Sequence, residues 1–249
     1  MPDFDWNEKY WGGVYDWSMR GEEWSEAWGT SEAQWFGSIF PRIHRFIPAP
    51  SILEIAPGFG RWTKFLLPTC QNYLGVDLSD ECIEACKETF EYYDRAAFYK
   101  NDGRSLSFAP DNKYDLIFSF DSLVHVEMDI LDMYISQSLQ KLTENGVAFI
   151  HHSNLLDFRD MPGYFHFRAP SVSAELVERS IRNNSGKILA QEQMNWGGDK
   201  LHDCLTLFSR AESKWTNNAS YIKNPKFMDE ADIIRNVHKY YGSGLAAKT

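Results

Sequence analysis

Residues 52–63 read Ile52-Leu53-Glu54-Ile55-Ala56-Pro57-Gly58-Phe59-Gly60-Arg61-Trp62-Thr63, and the change of texture within them decides the fold. A short apolar run, suited to burial on both faces, delivers an acid, then a glycine-bearing turn, then the start of a helix. In an open parallel sheet such a turn sits at the carboxyl end of its strand, where these sheets bind nucleotide-like ligands. Glycine there lets a ligand approach the backbone closely. Outward from this stretch the alternation continues: residues 61–67 read as a short helix stopped at Pro68, and 73–76 as a second strand. Ser79 can cap a helix that carries Ile83, Cys86 and Phe90 on one face. Residues 97–99, 114–120 and 147–150 are three more strands, with a helix over 130–142 that ends near Gly146. Alternation of this kind predicts a parallel sheet. A helix with Leu176, Val177 and Ile181 stops at Gly186, and 188–194 and 204–208 around Gly197-Gly198 form a closing antiparallel pair. The expectation is an α/β fold with a mostly parallel, seven-stranded sheet flanked by helices.

Before this region, Trp6, Trp11, Trp17, Trp24 and Trp28 are interleaved with Tyr10 and Tyr15 without a clean period. Indoles serve both burial and ligand stacking, so the segment reads either as an aromatic lid or as part of the core. Ser31 and Gln34 have capping-box spacing, and Phe36, Ile39, Phe40, Ile43 and Phe46 recur at helical intervals, which predicts a lead-in helix kinked near Pro41. The organisation expected is a cap and lead-in helix over 1–50, the α/β domain over 51–212, and a tail over 213–249. That tail is polar apart from a helical pattern at Ile233, Ile234, Val237 and Tyr240.

The 249 residues carry a formal net charge of −10. An acidic overall field opposes binding to phosphate backbones, so a nucleic-acid partner is not expected. Cys70, Cys82, Cys86 and Cys204 contain no CxxC pair, and Cys82 and Cys86 have same-face helical spacing, as reduced thiols of a cytoplasmic protein would. The first residues lack the basic and apolar regions of a signal peptide, and no run is long enough to span a membrane. Neither export nor a membrane partner is expected, and oligomeric state is not indicated.

Two further acids follow the first in strand order. Asp77 ends the second strand, where an acid accepts hydrogen bonds from ribose hydroxyls, and Asp102 follows the third beside Gly103. With these residues the chain resembles the class I S-adenosylmethionine-dependent methyltransferases from about residue 51 to residue 152. The resemblance implies a Rossmann-like fold with S-adenosylmethionine as cofactor and S-adenosylhomocysteine as product. It places the methionine end of the cofactor on Glu54, Ala56, Gly58 and Gly60, the ribose on Asp77 and the adenine amine on Asp102. Pro57, Leu78, Ser79, Gly103, Phe120 and, from the N-terminal segment, Trp28 complete the expected cofactor pocket. One departure is Ala56, which stands where the family's loop has its first glycine. A nicotinamide or flavin site is the rival reading of the loop, but its fingerprint needs a third glycine at Thr63.

Methyl transfer from a sulfonium is an in-line displacement with an activated donor, so the protein mainly aligns the acceptor and excludes water. A hydroxyl acceptor must also lose a proton, which calls for a general base. His125 and His152 are the candidates, at the ends of the fourth and fifth strands, with Asp121 to orient His125. His151 and His152 alternate across a strand end, so at most one faces the ligand unless the strand has already broken, and His152 is preferred. Arg168, Trp196, His151 and Asp203 are expected to build an acceptor pocket, Arg168 as an anion clamp and Trp196 as a stacking surface. The motifs around residues 24–28, 121–127 and 151–154 are similar to those of bacterial surface-glycan and sugar-nucleotide methyltransferases. That similarity implies O-methylation of a sugar or related small polar molecule. No metal ligand set is assigned; an Mg²⁺ site built from Asp121, His125, Glu127, His151, His152, His202 and Asp203 is an alternative without a spacing motif. Methylation of nitrogen or carbon, and a cofactor-binding scaffold without catalysis, are the competing functions.

Overall fold

The computed structural model describes residues 3–158 and 166–238. Helix α1 (Phe4–Gly13) opens the chain and is followed by two 3₁₀ segments, Trp17–Met19 and Glu22–Trp28. The lead-in helix is α2 (Ser31–Gln34), a wide π turn (Trp35–Ile39) and α3 (Phe40–Ile43). Its cap is Thr30, whose hydroxyl accepts from Ala33 N, rather than the expected Ser31. The irregularity falls just ahead of Pro41 as a π turn, where the missing proline N–H cannot close the ordinary ladder.

The sheet contains β1 (Ser51–Ile55), β2 (Asn72–Asp77), β3 (Ala96–Lys100), β4 (Tyr114–Ser119), β5 (Leu142–Ser153), β6 (Gly186–Met194), β7 (Asp203–Arg210) and β8 (Ser220–Asn224). Between and after the strands lie α4 (Thr63–Leu66), α5 (Asp80–Thr89), α6 (Met128–Lys141), α7 (Ala174–Asn183) and α8 (Phe227–Ile233). The strand order is β3-β2-β1-β4-β5-β7-β6-β8. Neighbours from β3 to β5 pair in parallel, while β7 runs against both β5 and β6. The expected seven-stranded sheet is therefore corrected to a mixed sheet of eight. The extra strand, β8, lies in the segment read as tail and pairs in parallel with β6. It is an edge strand with four exposed residues, so the two-sided apolar signal of the central strands is missing.

Every residue of β1 is buried, and its side chains alternate between two apolar layers. Ile52 joins Trp28, Trp35, Trp62, Phe118 and Phe227 on one face, and Leu53 and Ile55 join Val76, Ile117, Ile135 and Phe208 on the other. The strand order reverses at β1, with β2 on one side and β4 on the other, so a crevice opens at their carboxyl ends. Among the described residues, no helix is long and apolar enough to cross a membrane.

Candidate functional site

The crevice is a cavity with two sources of wall. The carboxyl ends of the strands contribute Ile55–Phe59, Asp77, Leu78, Asn101, Gly103 and the stretch from Phe120 to Glu127 other than Val124. The N-terminal segment contributes Phe4, Asn7, Trp11, Trp17, Arg20 and Trp24.

The loop after β1 turns through three left-handed residues, Ala56 (φ 58°), Gly58 (φ 58°) and Gly60 (φ 84°). At Gly60 a Cβ would meet the Phe90 ring at 2.5 Å, so both conformation and space require glycine. Ala56 adopts the same handedness with a side chain, a strain of about 1 kcal/mol. Two bonds hold it there: its N–H donates to Val76 O at 2.7 Å and its carbonyl accepts from Ser122 Oγ at 3.0 Å. Asp77 braces the loop from β2, one carboxylate oxygen accepting from Gly58 N and the other from Ser79 N, each at 3.0 Å. Burial pushes Asp77 up to about 6 despite these bonds.

Several expected cofactor residues lie elsewhere. Glu54 does not line the cavity; it accepts from Thr63 Oγ1 at 2.8 Å and from the Tyr73 hydroxyl, and burial raises it to about 7. Ser79 caps α5. Asp102 is exposed, and its carboxylate accepts from Arg104 N and Ser105 N, folding its own loop while Asn101 and Gly103 face the cavity. Gly60 and Trp28 are absent from the lining. Trp28 is 1% exposed, donates to Ser38 Oγ at 2.8 Å and packs on Trp196 and Phe227, so it belongs to the core. Ala56, Pro57, Gly58, Asp77, Leu78, Gly103 and Phe120 do line the cavity.

His125 also lines it. Its Nδ1 lies 2.9 Å from Phe167 O, and a carbonyl accepts, so Nδ1 carries the proton and Nε2 is the basic nitrogen. Burial, followed by the charge of Arg168, lowers His125 to about 4, which keeps the ring neutral at ordinary pH. The Trp11 ring packs on it at 4.9 Å, and Asn7 Nδ2 donates to its carbonyl at 2.8 Å, so α1 holds this histidine directly.

The expected preference for His152 does not survive the geometry. Strand β5 runs through Ser153 and stays paired with β7, so the alternation continues and His152 takes the other face from His151. Its Nδ1 donates to Ser153 O and its Nε2 meets Thr206 Oγ1, both at 2.8 Å, and burial lowers it to about 4. An unfolded histidine titrates near 6.5, so between about 4 and 6.5 the unfolded chain holds a proton that folded His152 refuses. Stability from this residue is full above 6.5 and is lost as pH falls. Asp77 and Glu54, raised on folding, act in the opposite sense over an overlapping range and flatten the whole-protein profile. A variant therefore isolates the histidine: the stability gap between wild type and His152→Gln is expected to shrink by about 2 kcal/mol from pH 7.5 to pH 5. Urea unfolding at the two pH values measures it, and a gap that does not change with pH would contradict the assignment.

The expected acceptor pocket closes on itself. Arg168 donates to Asp203 through Nε (3.1 Å to Oδ1) and Nη2 (2.8 Å to Oδ2), with both side chains fully buried or nearly so. His151 Nδ1 accepts from Asp121 N at 3.2 Å, so its Nε2–H donates to Asp203 Oδ2 at 3.0 Å. Burial would raise Asp203, but the Arg168 charge and the His151 bond hold it well below the usual carboxylate range. Trp196 packs among Trp28, Phe120, His151 and Phe227. Arg168, Trp196, His151 and Asp203, expected as substrate-binding residues, all lie outside the cavity lining and are engaged with one another and with the core behind it. Asp121 is shared: it lines the cavity, takes Arg61 at 2.8 Å and has Arg168 at 3.7 Å. Among the described residues, no group of three or more His, Cys, Asp or Glu is placed to hold a metal ion, so the Mg²⁺ alternative finds no ligand set.

Arg61, Trp11, Trp17 and Trp24 are wall residues for which sequence reasoning named no individual role. Arg61 lies in the decisive loop, but its partner Asp121 is 60 residues away.

Residues 52–146 match a family model described as a methyltransferase domain. The chain is 26% identical over 137 residues to phosphoethanolamine N-methyltransferase 1 of Zea mays, which covers 52% of this chain and 27% of that protein. It is 30% identical over 125 residues to phosphoethanolamine N-methyltransferase of Triticum aestivum, covering 48% of this chain and 23% of that protein. It thus spans about a quarter of the length of these curated relatives. In structure it is similar to an S-adenosylmethionine-dependent methyltransferase from Clostridium acetobutylicum, with a TM-score of 0.58 at 18% identity, covering 78% of this chain and 95% of that one.

Proposed function

We infer that this chain, whose residues 52–146 match a methyltransferase domain, is a class I S-adenosylmethionine-dependent enzyme that transfers the sulfonium methyl group to a small-molecule acceptor inside the cavity walled by α1. The observation that carries the reading is the brace between Asp77 and Gly58 at the carboxyl ends of β2 and β1. It presents a buried acid and a glycine turn at the sheet's switch point, where a nucleoside with an amino-acid tail has partners at both ends. When bound, S-adenosylmethionine supplies the activated methyl group. Leu78, Asn101 and Gly103 would flank its adenine, Asp77 its ribose, and the loop from Ala56 to Phe59 its methionine end.

A nitrogen acceptor fits the remaining wall best. Beyond the loop, the cavity offers the indoles of Trp11 and Trp24 and the carboxylate of Glu127, while the Asp121 carboxylate is already paired with Arg61. Ring faces and carboxylates attract an ammonium group before it is deprotonated. The named activities of the curated relatives, N-methylation in both, support the same acceptor atom. The hydroxyl reading keeps one specific support, His125 Nε2, which can take a proton from either kind of acceptor. A carbohydrate acceptor has lost the clamp and stacking surface expected at Arg168 and Trp196.

Transfer of labelled methyl from S-adenosylmethionine to parallel panels of small amines, amino alcohols and sugar nucleotides tests the reading. Labelled N-methyl product is expected. Product only from the sugar nucleotides would replace the nitrogen assignment with oxygen, and no product from any panel would count against catalysis.

A further inference from the structure

Among the described residues, the indole Nε1 of Trp17 is buried without a hydrogen-bond partner. A buried donor left unpaired is costly, so the position calls for an acceptor. Trp17 lines the cavity, and its ring is clamped to the loop after β1. It stacks on Phe59 at 4.9 Å with planes 16° apart, and a Cβ at Gly58 would lie 3.2 Å from it. Arg20, three residues on, reaches over the same Phe59 ring at 5.3 Å and donates to Thr89 at 2.6 Å, pinning the strap to the end of α5. Glu23 Oε2 in the neighbouring cluster also lacks a partner, but Glu23 does not line the cavity, whereas Trp17 does.

Two donors near this ring are already engaged, and Arg20 over Phe59 gives one N–H to Thr89. Gly58 N–H goes to Asp77, and the Arg61 guanidinium goes to Asp121 and Ser25. An anionic group lying along the loop therefore meets Trp17 Nε1–H as an uncommitted donor. Resting on the methyltransferase reading above, we propose that Trp17 binds the α-carboxylate of the cofactor's methionine end through Nε1–H, so that the N-terminal strap closes on the cofactor by recognising it. The segment then contributes to cofactor binding as well as to the acceptor wall.

The test compares S-adenosylhomocysteine with its decarboxylated analogue, which keeps the amine and adenosine and lacks only the carboxylate, by isothermal titration of wild type and Trp17→Phe. Loss of a hydrogen bond to a charged group is expected to weaken S-adenosylhomocysteine about 10-fold or more in the variant. Binding of the decarboxylated analogue should stay within about 2-fold, since it lacks the accepting group. An equal loss for both ligands, or no loss for either, would overturn the proposal and leave Trp17 a packing residue. Should Trp17→Phe fail to fold, ¹⁵N spectra of wild type provide the same comparison. The Trp17 indole N–H resonance, identified through its contacts with Phe59, should shift downfield with S-adenosylhomocysteine and not with the analogue. Identical shifts with both ligands would overturn the proposal. Wild type that binds neither ligand would instead remove the methyltransferase reading on which it rests.

Discussion

Replacing His125 with glutamine is expected to lower kcat for methyl transfer about 100-fold while leaving the affinity for S-adenosylhomocysteine within about 3-fold of wild type. His125 is the one histidine among the described residues that lines the cavity, and its Nδ1–H is fixed on Phe167 O. Nε2 is therefore available to accept the proton an amine or hydroxyl gives up as the methyl group arrives. Glutamine retains a similar length and can still meet the Phe167 carbonyl, but it cannot take a proton. Because His125 is lowered to about 4, its protonation affects the rate only in acid. Between pH 6 and 9, wild type should lack an acidic limb due to this residue. Steady-state kinetics with any acceptor found by methyl transfer would measure both quantities. A kcat within 3-fold of wild type would assign His125 to holding α1 rather than to chemistry.

The largest stability effect is expected at Arg168. Its fork neutralises Asp203, which also receives His151 Nε2–H, and His151 Nδ1 in turn accepts from Asp121 N. Arg168→Leu would strand Asp203 in the interior, and breaking a buried pair from one side costs about 3–5 kcal/mol. For a chain of this length the melting temperature should fall by about 10 °C or more. Removing both charges, as in Arg168→Leu with Asp203→Asn, should recover part of the loss, because the uncompensated carboxylate is gone. Differential scanning calorimetry of the two variants decides it. A drop below about 3 °C for Arg168→Leu would mean that water reaches Asp203. The network also explains the left-handed Asp121 (φ 61°): its N–H is held by His151 and its carboxylate by Arg61, which sets the loop that presents His125.

Local signals carried the parts of this account that the sequence made legible. The strand, glycine turn and helix of residues 52–63 fall within one short window, and Asp77 follows at the end of the next strand, so loop and brace could be read together. Long-range pairing carried the rest. Arg168 and Asp203 are 35 residues apart and His151 and Asp203 are 52, so nothing local distinguishes a clamp awaiting substrate from a partner already bound. Trp17 and Trp28 look alike in sequence; one ends over Gly58 and the other against Ser38 and Phe227, and only tertiary packing separates them. The alternation of His151 and His152 was legible, but not that β5 extends to Ser153, which decides which of them turns toward Asp121. Asp102 shows the limit of reading acids by strand order: its carboxylate serves the turn it sits in, and the wall is left to Asn101 and Gly103.

The crevice at the ends of β1 and β2 is proposed to hold the S-adenosyl cofactor. Isothermal titration with S-adenosylhomocysteine, run on wild type and Asp77→Ala with NAD as a control ligand, tests it most directly. Wild type should bind S-adenosylhomocysteine in the micromolar range and NAD not measurably, and Asp77→Ala should lose binding while keeping a cooperative unfolding transition. That variant removes both the acid placed for the ribose and the acceptor that holds Gly58 N. A folded wild type that ignores S-adenosylhomocysteine, or a variant that binds it as wild type does, would contradict the account.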